Sequence, residues 1–364
     1  MLLIGVLTTP VMGPVASFSE FWAFVRYLFA FRDQRPLNLT EAFGQLDSHQ
    51  KTILSDDFGM GVPIHWLIRR LSLRGFSDGR YYIYRFLTAQ GGTYTGGTGK
   101  RGPGKSPDFI FLDSHGKYHV VECKGTQSSP EYRDKQLDCT PPGKGRMGGV
   151  VQKRTVVFPS SIAGQRLACG LYIAGAPGEY SHLKIVDPPT KPLFKMWDDG
   201  PERAADPIIR STLSQMLRGS GLTMSAEVVA FPRGRHRGVE KDRYIFEPAN
   251  ETAARRQAAI VELQERPFTH DRFVEESDYV GRRVSFDLPA AFKVGKKSVR
   301  RVEIFRGVRF DYLGMNTQNF FEDTIVARKE NNGVLGEFKF SRSEDTVSLT
   351  IGKLFRSEIR FVAG

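Results

Sequence analysis

Two acidic residues and a lysine stand at the ends of two apolar stretches in the first half of the chain. Asp108 precedes the run FIFLD, and Glu122 and Lys124 end the run KYHVVECK. Side chains alternate along a strand, so Glu122 and Lys124 would project from the same face. If residues 113–117 form a hairpin loop, Asp108 lies directly opposite Glu122, whereas a slip of one residue would move it to the diagonal and the other face. The favoured register gathers two carboxylates and one ammonium group at one point.

This combination of groups predicts a metal-dependent hydrolase of phosphodiesters. Carboxylate oxygens are the ligands that Mg²⁺ prefers, with substrate phosphate and water completing its octahedral shell. Asp108, Glu122 and the backbone carbonyl of Cys123 are the candidate metal ligands, and Mn²⁺ is expected to substitute for Mg²⁺. Lys124 would orient the attacking water or neutralise charge in the transition state. The alternative is a carboxylate–lysine pair at an exposed hairpin end that has no function.

A second motif directly precedes Asp108. Residues 99–106 read GKRGPGKS and fit the phosphate-loop pattern G-x-x-x-x-G-K-[ST]. Such a loop needs a buried strand before it and a helix that begins at the Lys-Ser pair. Here a stretch rich in glycine and threonine precedes the motif, and Pro107 and an apolar strand pattern follow it. A basic loop is therefore favoured, and a nucleotide hydrolase that uses Lys105 stays an alternative.

The charge of the chain indicates a polyanionic partner. Its 364 residues carry a formal net charge of +12, and its hydrophobic fraction of 40% is ordinary for a globular protein. Basic clusters near the acidic pair favour DNA as the partner and leave RNA open. The candidate nucleic-acid-binding residues are Lys100, Arg101, Lys105, Lys144, Arg146, Lys153 and Arg154. Two later basic runs, PRGRHRG and KVGKKSVRRVEIFRGVR, are either further DNA-tracking surfaces or ordinary solvated faces.

Cysteine usage and hydropathy limit the remaining classes. Cys123, Cys139 and Cys169 are odd in number and lack metal-type spacing, which argues against a disulfide scaffold or a zinc site and favours a cytoplasmic location. The apolar N-terminus lacks the positive region of a signal peptide and is interrupted by Pro10 and Pro14. No run reaches the roughly 20 apolar residues that a membrane-spanning helix needs, so no membrane partner is expected.

The elements around the acidic pair predict an α/β core. Periodicity predicts a helix over residues 62–73 and a less regular helix before the last of four strands. The predicted strands are 80–89, 107–113, 118–124 and 168–174. The predicted organisation is an N-terminal helical segment (1–60), the α/β core (61–187), a proline-rich linker (188–205) and a C-terminal α+β domain (206–364). That last domain is expected to bind nucleic acid, a protein partner or a second copy of the chain in a homodimer.

The pattern Pro107-Asp108, thirteen residues, then Glu122-Cys123-Lys124 resembles the PD-(D/E)xK nuclease superfamily. The resemblance covers about residues 60–176. It implies a restriction-endonuclease-like core, in which a mixed sheet is flanked by helices. It also implies Asp108 and Glu122 as metal ligands and Lys124 as the catalytic lysine.

Two features of that family are incomplete in this sequence. Many members add a carboxylate from the first core helix, but the predicted helix has none, and only Glu41, Asp56 and Asp57 lie upstream. Some members carry a glutamine in the following helix with a tyrosine four residues on. Gln152 is therefore an accessory candidate, although Val156 stands at the tyrosine position. The extra ligand stays unassigned.

A repeat of the same spacing occurs near the C-terminus. Asp323 is followed after thirteen residues by Glu337-Phe338-Lys339, and the segment reads as strand, Asn-Gly turn and strand. It lacks the proline, and its first strand is more polar. A chance match or a degenerate copy is favoured over a second nuclease site.

The sequence therefore predicts an α/β, Mg²⁺-dependent endonuclease that acts on DNA, with an appended α+β domain. The resemblance adds an expected role in restriction or defence against phage. A DNA-binding protein that retains the nuclease fold without activity is the principal alternative. It would bind DNA and show no metal-dependent cleavage.

Overall fold

The structure of the protein is a computed structural model. It describes residues 1–11, 27, 29–32, 37–83, 98–99, 102–103, 106–137, 148–156, 158, 162–176, 178–186, 200–232, 234–240, 243–264, 273–276, 278–294, 297–309 and 336–363. The chain divides into two compact units. The first comprises residues 1, 3–8 and 22–201, and the second comprises residues 2, 9–21 and 202–364. The division falls inside the predicted linker, but a helix already begins at Gly200, so residues 200–205 are helical and that part of the prediction is wrong.

Near its start, the described part of the first unit has three helices, of which the third is the longest. They are α1 (Leu2–Leu7), α2 (Glu41–Gly44) and α3 (Ser48–Leu71). Helix α3 begins where Asp47 Oδ1 accepts hydrogen bonds from the backbone N–H groups of His49 and Gln50, at 2.8 and 3.1 Å. This cap satisfies two donors that a helix start leaves without an intrahelical partner.

Helix α3 corrects the predicted boundary between the N-terminal segment and the core. It runs without interruption through residues 60 and 61, so the predicted helix 62–73 is only its C-terminal half. Leu54 and Phe58 from its N-terminal half are buried in the same cluster as Leu171 and Ile173 of the core. The N-terminal half of α3 therefore belongs to the core, because its apolar side chains are part of the core's interior.

A mixed five-stranded sheet forms the centre of the first unit. Its strands are β1 (Leu73–Asp78), β4 (Phe109–Asp113), β5 (Tyr118–Thr126), β6 (Ala163–Tyr172) and β7 (His182–Val186), in the order β1-β4-β5-β6-β7. Only the β5–β6 pair is parallel. The segment between those two strands contains helices α4 (Pro130–Leu137) and α5 (Gly149–Gln152). A separate two-stranded ribbon joins β2 (Thr98–Gly99) to β3 (Gly102–Pro103).

The first strand of the sheet is not the predicted one. The sequence analysis placed it at residues 80–89, but residues 79–83 are helical and β1 ends at Asp78. Asp78 Oδ1 accepts a hydrogen bond from Tyr81 N at 2.7 Å and starts this helical turn. Tyr81 and Tyr82 are fully buried, so tertiary packing overrides the strand preference of these aromatic residues. Residues 84–89 lie outside the described part of the chain.

The β4–β5 hairpin has the register that places Asp108 opposite Glu122. Phe109 pairs with Val121 and Leu112 pairs with Tyr118, and the loop closes where Asp113 N–H donates to Lys117 O at 3.0 Å. The predicted hairpin is therefore confirmed in its register.

The Asp113 carboxylate holds the hairpin loop in place. Its Oδ1 accepts from the backbone N–H groups of His115 and Lys117, both at 2.8 Å, and its Oδ2 lies 3.0 Å from His119 Nε2. Since His119 Nδ1 accepts from Gln165 N, its Nε2 carries the proton that is donated to Asp113. His119 is buried and has both ring nitrogens engaged, so it acts in the hairpin as a structural residue.

Helix α3 approaches strand β5 closely through two glycines. A Cβ atom added to Gly125 would lie 1.8 Å from Ser55 O, and one added to Gly59 would lie 2.6 Å from Gly125 N. Gln127 reinforces the contact by donating from Nε2 to Lys51 O at 2.9 Å. The glycine that follows Lys124 is thus required because helix backbone and strand backbone touch.

We expect Gly125→Ala to destabilise the protein by at least about 3 kcal/mol, because the new methyl group meets backbone atoms that cannot move aside. Urea unfolding would measure the change in the free energy of unfolding. Gly44→Ala is the matched control: a Cβ at Gly44 has no atom within 4 Å, so it should be neutral or slightly stabilising. Equal stability of wild type and Gly125→Ala would contradict the close packing of α3 on β5.

Where the structure describes it, the second unit combines three helices with antiparallel sheets. Its helices are α6 (Gly200–Gly219), α7 (Thr223–Ala230) and α8 (Ala249–Gln264), and a hairpin is formed by β8 (His236–Glu240) and β9 (Arg243–Phe246). A six-stranded antiparallel sheet follows in the order β10-β11-β12-β15-β14-β13. Its strands are β10 (Phe273–Glu276), β11 (Tyr279–Val294), β12 (Lys297–Arg309), β13 (Phe338–Arg342), β14 (Thr346–Ile351) and β15 (Phe355–Ala363).

The architecture is mixed α/β, with a mixed sheet in one unit and an antiparallel sheet in the other. Within the described ranges, no helix has the length and apolar character needed to cross a membrane.

Candidate active site

The sequence-predicted carboxylates and lysine meet at the open end of the β4–β5 hairpin. Asp108 N–H donates to Glu122 Oε2 at 3.1 Å, and Cys123 N–H donates to Asp108 Oδ2 at 2.7 Å. Lys124 Nζ forms an ion pair with Glu122 Oε1. In a strand, the N–H and C=O of one residue point to the same side, so the carbonyl of Cys123 also points toward Asp108. The four predicted groups are therefore adjacent.

Burial distinguishes this cluster from a surface ion pair. The Glu122 side chain is 0% exposed, whereas that of Lys124 is 26% exposed. Glu122 thus forms the floor of the cluster, and Lys124 lies at its solvent side. A carboxylate without solvent access is costly to ionise, and buried carboxylates beside a second charge occur often at functional sites of proteins.

The protonation equilibria of the cluster reflect this crowding. Burial and repulsion by Asp108 raise the pKa of Glu122 to about 8, in opposition to the attraction of Lys124. Burial also raises the pKa of Asp108, although Lys124 and the Cys123 N–H oppose the shift. Burial opposes the charged form of Lys124, but the attraction of Glu122 and Asp108 outweighs it and raises the pKa of Lys124. A cation placed between the carboxylates would relieve their repulsion.

Two further carboxylates that the sequence analysis did not assign lie near this cluster. Asp56 on α3 interacts electrostatically with Lys124 and Asp108, and Asp78 at the end of β1 interacts with Asp108. Burial raises the pKa of both Asp56 and Asp78. Asp56 escaped assignment because the predicted helix began at residue 62, after Asp56. The Asp47 cap was the local signal that α3 begins earlier.

Helix α5 closes the cluster from the side. A Cβ atom added to its first residue, Gly149, would lie 3.2 Å from Glu122 Cγ. Its last residue, Gln152, donates from Nε2 to Ser106 O at 3.2 Å, two residues before Asp108. Gln152 therefore contacts the segment that carries Asp108. The accessory candidate lies beside the cluster and holds this segment through its backbone.

One of the predicted nucleic-acid-binding residues has a different role. The Lys153 side chain is fully buried, and its Nζ donates to Arg166 O and, at 3.0 Å, to Val186 O. Lys153 anchors the end of α5 to strands β6 and β7, so its assignment to a DNA-contacting surface was wrong. Arg154 is partly buried. Lys100, Arg101, Lys105, Lys144 and Arg146 lie outside the described residues.

Some described cations of the run KVGKKSVRRVEIFRGVR pair with neighbouring acids. Arg301 pairs with Asp287 at 2.8 Å, and Lys297 lies 3.5 Å from Asp345. Arg306 is fully buried. These contacts stabilise the sheet, so in its described part this run resembles an ordinary structural face more than a DNA-binding surface.

The C-terminal repeat of the motif lacks the setting of the first. Glu337 and Lys339 lie 3.7 Å apart, and each side chain is 69% exposed. Asp323 lies outside the described residues. An exposed pair at the start of the edge strand β13 has the character of a surface salt bridge, which contributes little to stability.

The phosphate-loop pattern also lacks its required setting. Ser106 and Pro107 lead directly into strand β4, and no helix begins there. The helix N-terminus that would bind phosphate is therefore missing from the described residues after Lys105.

The chemistry of the cluster fits a hard divalent cation. Within the described ranges, no group of three or more His, Cys, Asp or Glu side chains is arranged to hold a metal ion by itself. Mg²⁺ commonly binds one or two carboxylates and completes its shell with water and substrate phosphate. Asp108, Glu122 and the Cys123 carbonyl supply oxygen donors of this kind, and burial raises the pKa of both carboxylates.

Comparisons of the chain with protein-family models, with curated proteins and with solved structures return no match.

Proposed function

We propose that the first unit is a Mg²⁺-dependent endonuclease that hydrolyses phosphodiester bonds of DNA. The observation that carries this proposal is the buried Glu122 carboxylate, which accepts from the Asp108 backbone N–H and pairs with Lys124 at its solvent side. The order of elements supports it further: α3, the strands β1, β4 and β5, helix α4 and strand β6 follow the helix–meander–helix–strand order of the PD-(D/E)xK core. The restriction-endonuclease-like assignment of the fold is part of this proposal.

The residues have distinct roles in this proposal. Asp108 and Glu122 would hold Mg²⁺, with the Cys123 carbonyl and the Asp56 carboxylate as further candidate donors. When bound, the cation would polarise the phosphoryl group and lower the pKa of a water. Lys124, which stays protonated because its pKa is raised, would orient that water and stabilise the developing negative charge.

One observation favours the alternative of a DNA-binding protein without activity. Both Glu122 oxygens already accept hydrogen bonds, Oε1 from Lys124 and Oε2 from Asp108 N–H. A cluster satisfied in this way can persist as a structural element without a cation. The two functions differ in whether DNA is cut after it is bound.

Incubation of wild type with supercoiled plasmid in Mg²⁺, Mn²⁺ or EDTA, with a parallel gel-shift assay, tests the proposal. We expect nicked or linear DNA with either cation and intact plasmid in EDTA. Retarded but uncut DNA under every condition would overturn the nuclease proposal in favour of the binding protein. A ribonucleic acid substrate of matched length would decide between DNA and RNA.

A further inference from the structure

A second concave site lies in the first unit, at the C-terminal half of α3. It has a volume of about 450 Å³, within the range of roughly 300–1,000 Å³ typical of small-molecule sites. Its apolar floor includes Val62 of α3, Leu171 of β6 and Leu183 of β7. Trp66 follows Asp56 by ten residues on α3, which corresponds to about 15 Å along the helix axis. The cavity is therefore separate from the carboxylate cluster.

One exposed strip of α3 forms the rim of this cavity. His65, Trp66, Arg69 and Arg70 all line the cavity, and all four are exposed. Their spacing places His65 above Arg69 and Trp66 above Arg70 on neighbouring turns. The helix thus presents two cations, an indole and an imidazole to one concavity.

Trp66 is arranged as a stacking surface. Its side chain is 44% exposed, and the Arg70 guanidinium carbon lies 5.1 Å from the centre of its ring. This distance is within the range of a cation–π contact, which fixes the orientation of both groups. A large aromatic side chain beside an apolar floor offers a planar ligand one apolar face.

The charge around the cavity is unbalanced. Among the described residues, no carboxylate lines the cavity, and none lies within ion-pair distance of Arg69 or Arg70. Burial lowers the pKa of His65, and the positive charge of Arg69 lowers it further. The cavity therefore has a positive potential that an anionic ligand would neutralise.

His182 also lines the cavity, and its ring is held by neighbouring side chains. The Arg133 guanidinium donates to His182 Nδ1 at 3.2 Å, so in the neutral ring Nε2 carries the proton. Tyr172 packs against the ring, with 5.3 Å between ring centres. These two contacts hold the imidazole in place at the edge of the cavity.

We propose that this cavity binds a nucleotide, with the base against Trp66 and the apolar floor and the phosphate at Arg69 and Arg70. Base–aromatic stacking together with arginine–phosphate contacts is the chemistry by which single-stranded nucleic acid is held. The ligand is either a free nucleotide or one nucleotide of a strand. As a substrate subsite it rests on the proposed nuclease function, but binding itself does not require hydrolysis.

Calorimetric titration in EDTA, where no cleavage is expected, tests this site independently of the nuclease. The probes are deoxyadenosine monophosphate, a short single-stranded oligodeoxyadenylate and inorganic phosphate. We expect Trp66→Leu and Arg70→Ala each to weaken nucleotide binding by roughly tenfold or more. Arg74→Ala is the matched control, because Arg74 is exposed and does not line the cavity. Thermal unfolding of each variant would verify that it is folded.

The probes also identify the source of the ligand. Binding of the monophosphate that the two cavity variants weaken supports a free-nucleotide site. Binding seen only with the oligonucleotide, and weakened by the same variants, supports a subsite for a strand. Absence of binding by all probes, equal affinity for inorganic phosphate and the nucleotide, or unchanged affinity in Trp66→Leu would overturn the proposal. None of these outcomes depends on whether Asp108 and Glu122 support cleavage.

Discussion

Replacing Lys124 by methionine is expected to lower the rate of Mg²⁺-dependent DNA cleavage by about 10²–10³-fold, the cost of removing one preorganised group that stabilises transition-state charge. Lys124 pairs with the buried Glu122, and its raised pKa keeps it cationic at neutral pH. Methionine keeps the apolar stem and removes only the charge. Cleavage of plasmid under single-turnover conditions would measure the rate.

Lys339→Met is the matched control for this substitution. Lys339 stands in the same D-x13-E-x-K spacing, but its side chain and that of Glu337 are each 69% exposed. We expect Lys339→Met to cleave at the wild-type rate. A loss of cleavage in Lys339→Met together with full activity in Lys124→Met would place the active site in the C-terminal repeat.

Replacing Glu122 by glutamine is expected to stabilise the metal-free protein at alkaline pH and to abolish cleavage. The pKa of Glu122 is raised from 4.5 to about 8, so the folded state holds a proton that the unfolded state releases. The stability that this proton provides is complete below pH 4.5 and is lost as the pH rises through about 8. Glutamine imitates the protonated side chain at every pH, so it avoids that loss.

The stability gain in Glu122→Gln should therefore depend on pH. We expect roughly 5 kcal/mol at about pH 9 in EDTA, and almost none at about pH 4. Urea unfolding at both pH values would measure it. Mg²⁺ should stabilise wild type at about pH 9 more than it stabilises Glu122→Gln, because the cation offsets the carboxylate repulsion. A gain that is the same at both pH values would mean that Glu122 ionises normally.

The hairpin that carries the site could be predicted from the sequence because its signals are local. Two apolar strands flank a short polar loop, and Gly116 in that loop has a φ of 73°, which glycine adopts without strain. This loop length fixes the register, and the register alone places Asp108 opposite Glu122. The meeting of two carboxylates and a lysine follows from short-range rules.

The features that the sequence analysis missed depend on tertiary contacts. The tyrosines at 81 and 82 have high strand propensity, yet their burial and the Asp78 cap make that segment helical. Lys153 belongs to a basic run, and only the carbonyls of Arg166 and Val186 at its Nζ reveal it as an interior residue. Neither contact leaves a periodic signal in the neighbouring sequence.

The approach of Asp56 to the site has a similar origin. It requires α3 to touch β5 at Gly59 and Gly125, residues that are far apart in the chain. In the sequence, a single glycine in either segment only weakens the helix or strand pattern around it. The role of the two glycines is visible only when the helix and the strand are packed together. This packing also brings the Asp56 carboxylate toward Lys124.

Cleavage of supercoiled plasmid by wild type and by Asp108→Asn, purified identically and compared over a Mg²⁺ titration and in EDTA, is the most direct test of the proposed active site. Asparagine keeps the size of the Asp108 side chain and removes its charge. We predict cleavage by wild type that rises with Mg²⁺ and is absent in EDTA, and no cleavage above background by Asp108→Asn. Equal cleavage by the two proteins, or wild-type cleavage that persists in EDTA, would contradict a metal-dependent site at Asp108, Glu122 and Lys124.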